Sequence, residues 1–411
     1  MSDVARFVND TMGKVAGVIL SFQTLPPGMS NELLANLWMF RNRLASLEHD
    51  KVYGILGMIK SEPTTVRPDY RLLFSDICSS ILLEDIRISG NLHALRGIRT
   101  TRSTSEVPSW CVDWSDLDYW AEDRPRILTE LYKRIYSASG AHVARIVSPD
   151  TIPRSLGVAG HIFDQVRQVS PPLEFDPHYQ DASEIEELIS LLSWRRKYYA
   201  NPTYVTGGSS FLAFCKTLLD DCVLPYSESQ DLFHNVRSTG SDKPILSIRR
   251  TVPSDILPIL LWLDTNKRVR EADLTLRSEI ARRTASDETY DRSARLTRRA
   301  EGLKRLPALV NIQASIARAT SGRRMFITRG GYIGLGPAYT DKGSYVAMLL
   351  GGTAPFMLRD TTPESSSLIS PEDMEFEQRY CLLGDCYVHG CMDGELVKDG
   401  MTDNWPMVVL V

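Results

Sequence analysis

The sequence predicts an α+β fold, with N-terminal and central helical regions and a C-terminal antiparallel β-sheet. Two observations carry this. From Arg323 to Glu395, short runs of Met, Phe, Ile, Tyr, Val and Leu (RRMFITRGGYIGLGP, GSYVAMLLGGTAPFMLR, YCLLGDCYVHGCMDGE) are cut at intervals by Gly, Pro and Asp. Such runs suit half-buried strands, and the breaks suit tight turns at Gly330-Gly331, Gly351-Gly352 and Asp393-Gly394. Upstream, apolar residues recur instead at helical spacing. The β block reads as a sheet of about five strands. The pattern divides the chain into an N-terminal helical leader (1–30), a helical region with a Trp-rich loop (31–126), a mixed, mainly helical region with one strand segment (127–320) and the C-terminal antiparallel β block (321–411).

In the leader, Val4, Phe7, Val8, Met12, Val15, Val18 and Ile19 predict a helix that Pro26-Pro27-Gly28 ends. Ser30 is placed to cap a second helix with Leu33, Leu34, Leu37, Trp38 and Leu44 on its apolar face. A third runs from Asp50 to Ile59, with Asp50 as its cap and an arginine partner, and a fourth from Arg71 to about Ile88, with Leu72, Ile77, Ile81, Leu82 and Ile86 inward. Residues 101–126 hold Trp110, Trp114 and Trp120, too aromatic for a solvated linker, and are expected to plug the helical core. Leu156 to Val169 alternates and predicts a strand with one polar face, curved at Gly160. Helices follow over Ser183–Tyr199 and Ser210–Leu219, then a basic, charge-rich stretch over 265–306, and Trp405–Val411 adds a last strand.

Composition excludes several classes. A net charge of −4 argues against a chain devoted to binding a polyanion. The arginines 292, 295, 298 and 299 share one helical face without interleaved aromatic residues, so they read as a solvated face and not as a nucleic-acid site. Seven cysteines with no CxxC pair suit reduced thiols in a cytosol or nucleus better than a disulfide framework. The longest apolar run, Ile256–Leu263, is too short to cross a bilayer. An N-terminus carrying Asp3 and Asp10 does not resemble a signal peptide.

No catalytic constellation is legible. The histidines are scattered, HExxH, GxSxG and Walker patterns are absent, and Gly331-x-x-Gly334-x-Gly336 precedes Pro337 where a dinucleotide fold needs a helix. Cys381, Cys386, His389 and Cys391 are the one cluster with metal-like density, which zinc could use. Strand alternation would send neighbours to opposite faces, so buried thiols are the expectation there.

Taken in order, these pieces resemble a known family. Arg43 to Gly57, with Asp50, Tyr53 and Gly57, is similar to the R-x-A-T-x-P-R-D-K-V-Y-A-L-L-G stretch of fungal heterokaryon-incompatibility (HET) domain proteins. Pro68-Asp69-Tyr70 matches the P-D-Y that follows it. Pro108 to Trp114, with Trp110 and Asp113, resembles L-P-S-W-V-P-D-W-S, and Leu156 to Asp164, with Gly160, resembles L-x-V-x-G-x-x-x-D. Arg324 to Pro337, with Gly331 and Gly336, and Tyr380 to Glu395, with Gly384, Tyr387, Gly390 and Gly394, resemble the family's two C-terminal signatures. The chain departs at Glu48-His49, where the family reads Pro-Arg, and at Gly343-Ser344, where it reads G-D. The family's HET domain proper, with S-Y-x-W-G and W-I-D-x-x-C-I-N-Q, is not found ahead of Arg41.

The resemblance implies a HET-like protein without its effector domain. Such a protein would serve fungal vegetative incompatibility, non-self recognition coupled to programmed cell death, through protein–protein contact in the cytoplasm. The expected partner is a protein, a full-length HET-family member among the candidates, with no membrane, nucleic acid, cofactor or catalytic residue implied. An accessory protein or enzyme of a fungal secondary-metabolite cluster is the alternative, with a pocket lined by Trp110, Trp114, Tyr332 and Tyr387. A degenerate truncated paralogue is the second alternative.

Overall fold

A computed structural model describes residues 33–40, 44–57, 65–96, 107–114, 135–148, 154–173, 190–223 apart from 192, 196 and 200, 249–252, 255, 315–320, 322–361, 378–397 and 402–411. The leader helix, Ser30, Arg43, Trp120 and the basic stretch 265–306 lie outside them. The helices are α1 (Leu33–Phe40), α2 (Glu48–Leu56), α3 (Phe74–Ser89) and α4 (Ser210–Leu218). The strands are β1 (Ile146–Val147), β2 (Leu156–Val169), β3 (Cys222–Val223), β4 (Arg249–Arg250), β5 (Arg323–Thr328), β6 (Ile333–Pro337), β7 (Tyr345–Leu349), β8 (Phe356–Asp360), β9 (Arg379–Asp385), β10 (Tyr387–Val388) and β11 (Met407–Leu410).

Strand β2 is the hub of the sheet, and it comes from outside the C-terminal block. Its first half pairs with β1 and β11, so that both Ile146 and Val408 face Val158 across the ladders. Its middle pairs with β7, from Gly160↔Leu349 to Gln165↔Tyr345. Its end pairs with β5, at Val166↔Thr328 and Val169↔Phe326. Because β7 joins β8, β8 joins β9 and β9 joins β11, the pairing returns to β2 and the ring closes. A barrel results, and closure removes the open edges that a flat sheet of these apolar strands would expose. The β9–β11 ladder is parallel, whereas an all-antiparallel sheet was expected. A single residue, Cys386, separates β9 from β10, which crosses to pair with β6.

The irregularities in the pairing of β2 lie beyond Gly160. Register shifts fall between Ile162 and Asp164 and between Val166 and Gln168, where an extra residue coils the strand. Gly160 has a different role: a Cβ there would sit 2.5 Å from Leu349 Cδ2 and 2.9 Å from the Met348 carbonyl, so glycine lets β7 come close. Nor is one face of β2 polar throughout, since Leu156 to Gly160 are all buried.

The two-residue period of the strands sorts the core into layers. Val166, Phe326, Val346, Met357, Leu383, Cys386, Val388 and Cys391 form one cluster that fills the barrel. Their neighbours point outward and are still buried. Ala347, Leu349, Phe356, Leu358 and Leu382 pack against α1–α3, Trp110 and Trp114. Met325, Ile327, Leu335 and Tyr387 pack against α4, Tyr136 and Trp194. Strands covered on both faces read as continuous apolar runs, which is why alternation is weak in this sequence.

The helical side departs from expectation in two details. Helix α2 starts at Glu48 after Leu47, with no side-chain cap, and Asp50 lies inside its first turn. Its carboxylate instead accepts from Tyr70 Oη at 2.7 Å. Leu72 precedes α3 and is 46% exposed, so it is not on the inward face. Helix α3 ends at Gly90, whose φ of +67° is a left-handed stop that glycine adopts without strain.

Candidate functional site

A cluster of buried ion pairs lies where the end of α4 meets the barrel. Ser209 caps α4 by accepting from the Leu212 N–H at 3.3 Å. The helix runs out into Asp220 and Asp221, both left-handed, with φ of 52° and 49°. Aspartate tolerates that region better than most side chains. The turn is held by Asp220 N–H to Thr217 O at 3.1 Å and Asp221 N–H to Lys216 O at 2.6 Å.

This turn sends its carboxylates in different directions. Asp220 accepts twice from Arg323 Nη1, at 3.0 and 2.9 Å, while Arg323 Nη2 donates to the Leu335 carbonyl at 3.0 Å. Asp221 takes Arg250 Nη1 at 3.2 Å. Lys216 Nζ lies 3.1 Å from its other oxygen, near enough for an ion pair though not aligned as a hydrogen bond. Arg250 also donates to Ile135 O at 2.9 Å and to Asp393, and its guanidinium sits 4.4 Å from the centre of the Tyr136 ring. Tyr136 Oη donates to the Asp220 carbonyl and lies 3.1 Å from Cys222 Sγ.

A row of rings continues the cluster along the barrel. Tyr387 stands 6.0 Å from Tyr136, and its hydroxyl is 2.9 Å from His389 Nδ1. Tyr204 Oη donates to the His389 carbonyl at 2.8 Å and accepts from Ile333 N–H at 3.0 Å. Burial pushes the Tyr204 and Tyr387 hydroxyls well above the usual phenol range. It holds His389 down at about 4, so the imidazole is neutral. Burial likewise lifts Cys222 to about 11, against the pull of Arg318 and Tyr136. The groups that could act as nucleophile or base are therefore protonated thiol, neutral imidazole and neutral phenol, and the carboxylates are committed to cations. Chemically, the cluster is a joint that ties α4, the β3–β4 pair and the Tyr136 segment to the barrel.

The residues singled out in the sequence are mostly brought together in pairs. Tyr53 Oη donates to the Asp69 carbonyl at 2.9 Å while Tyr70 donates to Asp50, so two motifs hold each other reciprocally. The Arg71 guanidinium holds the Asp69 carboxyl down at about 2. Gly57 closes α2. After Pro108, Ser109 Oγ accepts from Leu382 N–H at 2.8 Å and donates to Val411 O, and Trp110 Nε1 reaches Arg154 O at 3.1 Å. Trp110 and Trp114 are buried as the expected plug, and Asp113 is half-buried beside them. Asp164 takes the Gly330 N–H with both oxygens, at 3.2 and 3.0 Å, pinning the turn that Gly331 makes at φ +90°. A Cβ on Gly336 would meet Thr340 Oγ1 at 2.8 Å, and Pro337 ends β6 by accepting from Thr340 N–H. Gly384, Gly390 and Gly394 all have positive φ, and Glu395 accepts from Asp393 N–H at 2.6 Å.

The cysteine–histidine cluster is not gathered into a site. Cys386 and Cys391 point into the barrel, Cys381 packs at its margin, and His389 faces Tyr387 and Tyr204 outside it. Among the described residues no three His, Cys, Asp or Glu side chains are grouped to hold a metal ion, and all seven cysteines are free thiols. The four aromatic residues named for a pocket are not gathered in one cluster: Trp110 and Trp114, Tyr332, and Tyr387 belong to three different ones. Sequence reasoning missed Tyr136, Asp220, Asp221, Arg250 and Arg323 as a set. The Asp-Asp pair just after a helical pattern is the one signal that could have drawn notice.

Comparison with known proteins bears on the same region. Residues 277–408 match the Het-6 beta-barrel domain family, a span that leaves out the hub strand β2. A 91-residue stretch is 29% identical to heterokaryon incompatibility protein 6, OR allele, of Neurospora crassa, covering 22% of this chain and 12% of that relative. The chain thus spans a small part of the curated protein it matches. No solved structure matches the chain significantly. Together with the ordered motifs, the two matches support a protein of the heterokaryon-incompatibility (HET) family, with the likeness carried by the Het-6 β-barrel domain over residues 277–408.

Proposed function

We propose that the chain works in fungal vegetative incompatibility as a recognition or regulatory module, in the cytoplasm, by contact with a full-length HET-family protein. The observation that carries this is the Het-6 barrel match on a barrel whose polar joint is internally paired. Such a joint stiffens a scaffold and leaves the work of recognition to the surface. No helix among the described residues is long and apolar enough to cross a membrane.

One surface suits protein contact. Leu47, Tyr70, Leu72 and Leu73 are about half exposed where α2 and α3 begin, and Leu44 is 84% exposed. His49 Nε2 lies 2.9 Å from Leu72 O and ties this ground together. Exposed apolar side chains gathered in one place mark interaction sites more often than scattered ones do.

The test is co-expression with a full-length relative, followed by co-purification and by scoring death after cell fusion. The pair should associate, and Leu47→Asp with Leu72→Asp should abolish association while leaving thermal stability intact. A wild-type chain that neither associates nor alters death would remove the reading.

A further inference from the structure

Arg167 and Lys197 come from different parts of the chain and meet on one residue. Arg167 sits at the irregular step of β2 between Val166 and Gln168. Its Nη2 donates to the Tyr198 carbonyl at 3.1 Å. Lys197, in helical residues 193–198 apart from 196, puts Nζ 5.0 Å from the centre of the Tyr198 ring. Both residues are exposed. Burial raises the neighbouring Tyr199 phenol, and the two charges that act on it, Arg195 and Arg167, are both cations that pull it back. Arg329 is exposed as well, and its N–H donates to the Gln165 carbonyl at 2.8 Å, two residues before Arg167 on β2. Arg167, Lys197 and Arg329 have no acidic partner among the described residues. Other arginines at the surface do meet an acid: Arg71 with Asp69, Arg154 with Asp76 and Arg359 with Asp341. Asp164, three residues before Arg167, is taken up by the Gln165 and Gly330 N–H groups.

The chain as a whole carries a net charge of −4, yet here cations gather without counter-ions and leave a local positive field that an acidic group can enter. Arg167 spends one nitrogen on the Tyr198 carbonyl, and its Nε and Nη1 remain for a carboxylate. We propose that Arg167 and Lys197, with Arg329 beside them, form a docking surface for an acidic protein segment, a run of aspartate or glutamate side chains on a partner. A nucleic-acid strand fits this ground less well, because the Tyr198 ring is covered by Lys197 and flanked by Trp194 at 6.2 Å and is not left open for a base to stack. An anionic lipid surface is usually held by about four to eight clustered cations, more than are gathered here. The surface does not include Leu47 or Leu72, and binding of an acidic segment needs no HET-family partner, so this proposal and the recognition reading can each fail alone.

The test uses the full chain, with fluorescence anisotropy of fluorescein-labelled octaglutamate and octaglutamine peptides as the readout. Octaglutamate should bind saturably, and more weakly as sodium chloride is raised, while octaglutamine should not bind. Arg167→Gln and Lys197→Gln should each weaken octaglutamate binding about two- to five-fold, and the double variant should weaken it more than either. Arg87→Gln, which removes an exposed cation from α3, should bind like wild type. A wild type without saturable binding overturns the proposal, as does a double variant that binds like wild type or an Arg87→Gln variant that loses as much. Tighter binding to a single-stranded oligonucleotide or to phosphatidylserine vesicles than to octaglutamate also overturns it, since the partner would then be a nucleic acid or a membrane. Lys197 makes no hydrogen bond among the described residues, so its substitution leaves the fold in place. Should Arg167→Gln fail to fold, Lys197→Glu decides: weaker binding of octaglutamate supports the surface, and unchanged binding overturns it.

Discussion

Asp220 and Arg323 form a buried ion pair, with side chains 0% and 4% exposed, that binds the end of α4 to the first strand of the β block. Removing one partner strands the other charge in the core. Asp220→Ala is expected to cost about 3–5 kcal/mol, and Arg323→Met a similar amount. Asp220→Ala combined with Arg323→Met should cost clearly less than the sum of the two, because neither ion is then left unpaired in the core. Urea unfolding of the three variants checks the pattern, and an additive double mutant contradicts it.

Ser109 extends the β9–β11 ladder by one step, accepting from Leu382 N–H and donating to Val411 O. Ser109→Ala leaves that N–H without an acceptor, a loss of about 1–3 kcal/mol. Amide exchange at Leu382 should accelerate more than exchange in the β5–β6 ladder. Equal effects in both would mean that the hydroxyl does not close this seam.

Gly334 faces the Phe326 ring across the β5–β6 ladder. A Cβ at Gly334 would fall 2.2 Å from Phe326 Cζ, far inside contact distance. Gly334→Ala is expected to destabilise by about 1–3 kcal/mol as the ring is forced off its rotamer. Phe326→Leu in the same chain should restore part of this by making room. If the double variant is no more stable than Gly334→Ala, the clash is not with the ring.

His389 makes the fold sensitive to acid. Its folded value of about 4 lies below the usual 6.5, so the unfolded chain takes the proton first as pH falls. The stability it contributes is complete above 6.5, is lost progressively between 6.5 and 4, and changes no further below that. The full loss is at most roughly 3 kcal/mol, reduced by the ring's partial contact with solvent. In His389→Gln the urea midpoint should fall less steeply over that interval than in wild type. Identical slopes would show that His389 is not the group titrating there.

Much of the local structure was legible. Leu156–Val169 reads as a strand from its alternating Leu, Val and Ile, and it is one between those same residues. The face of α3 was readable in Ile77, Ile81, Leu82 and Ile86. The joint was not. Asp220 and Arg323 stand 103 residues apart in sequence and Ser109 and Val411 stand 302 apart, so no window of spacing relates them. The cap expected of Asp50 failed for the same reason: a competing donor, Tyr70, arrives from 20 residues away.

Among the described residues, the sequence by itself indicated most of the strands and helices, several turns, and that its C-terminal signatures are HET-like. Those are matters of side-chain period and of glycine or proline conformation, which act over a few residues. Only the tertiary structure decided that the strands close on β2 into a barrel, that Cys386 and Cys391 look inward while His389 looks outward, and that Asp220 and Arg323 meet in the core. Closure and burial depend on which distant surfaces cover one another, and in a chain whose strands are apolar on both faces the local pattern does not distinguish inside from outside.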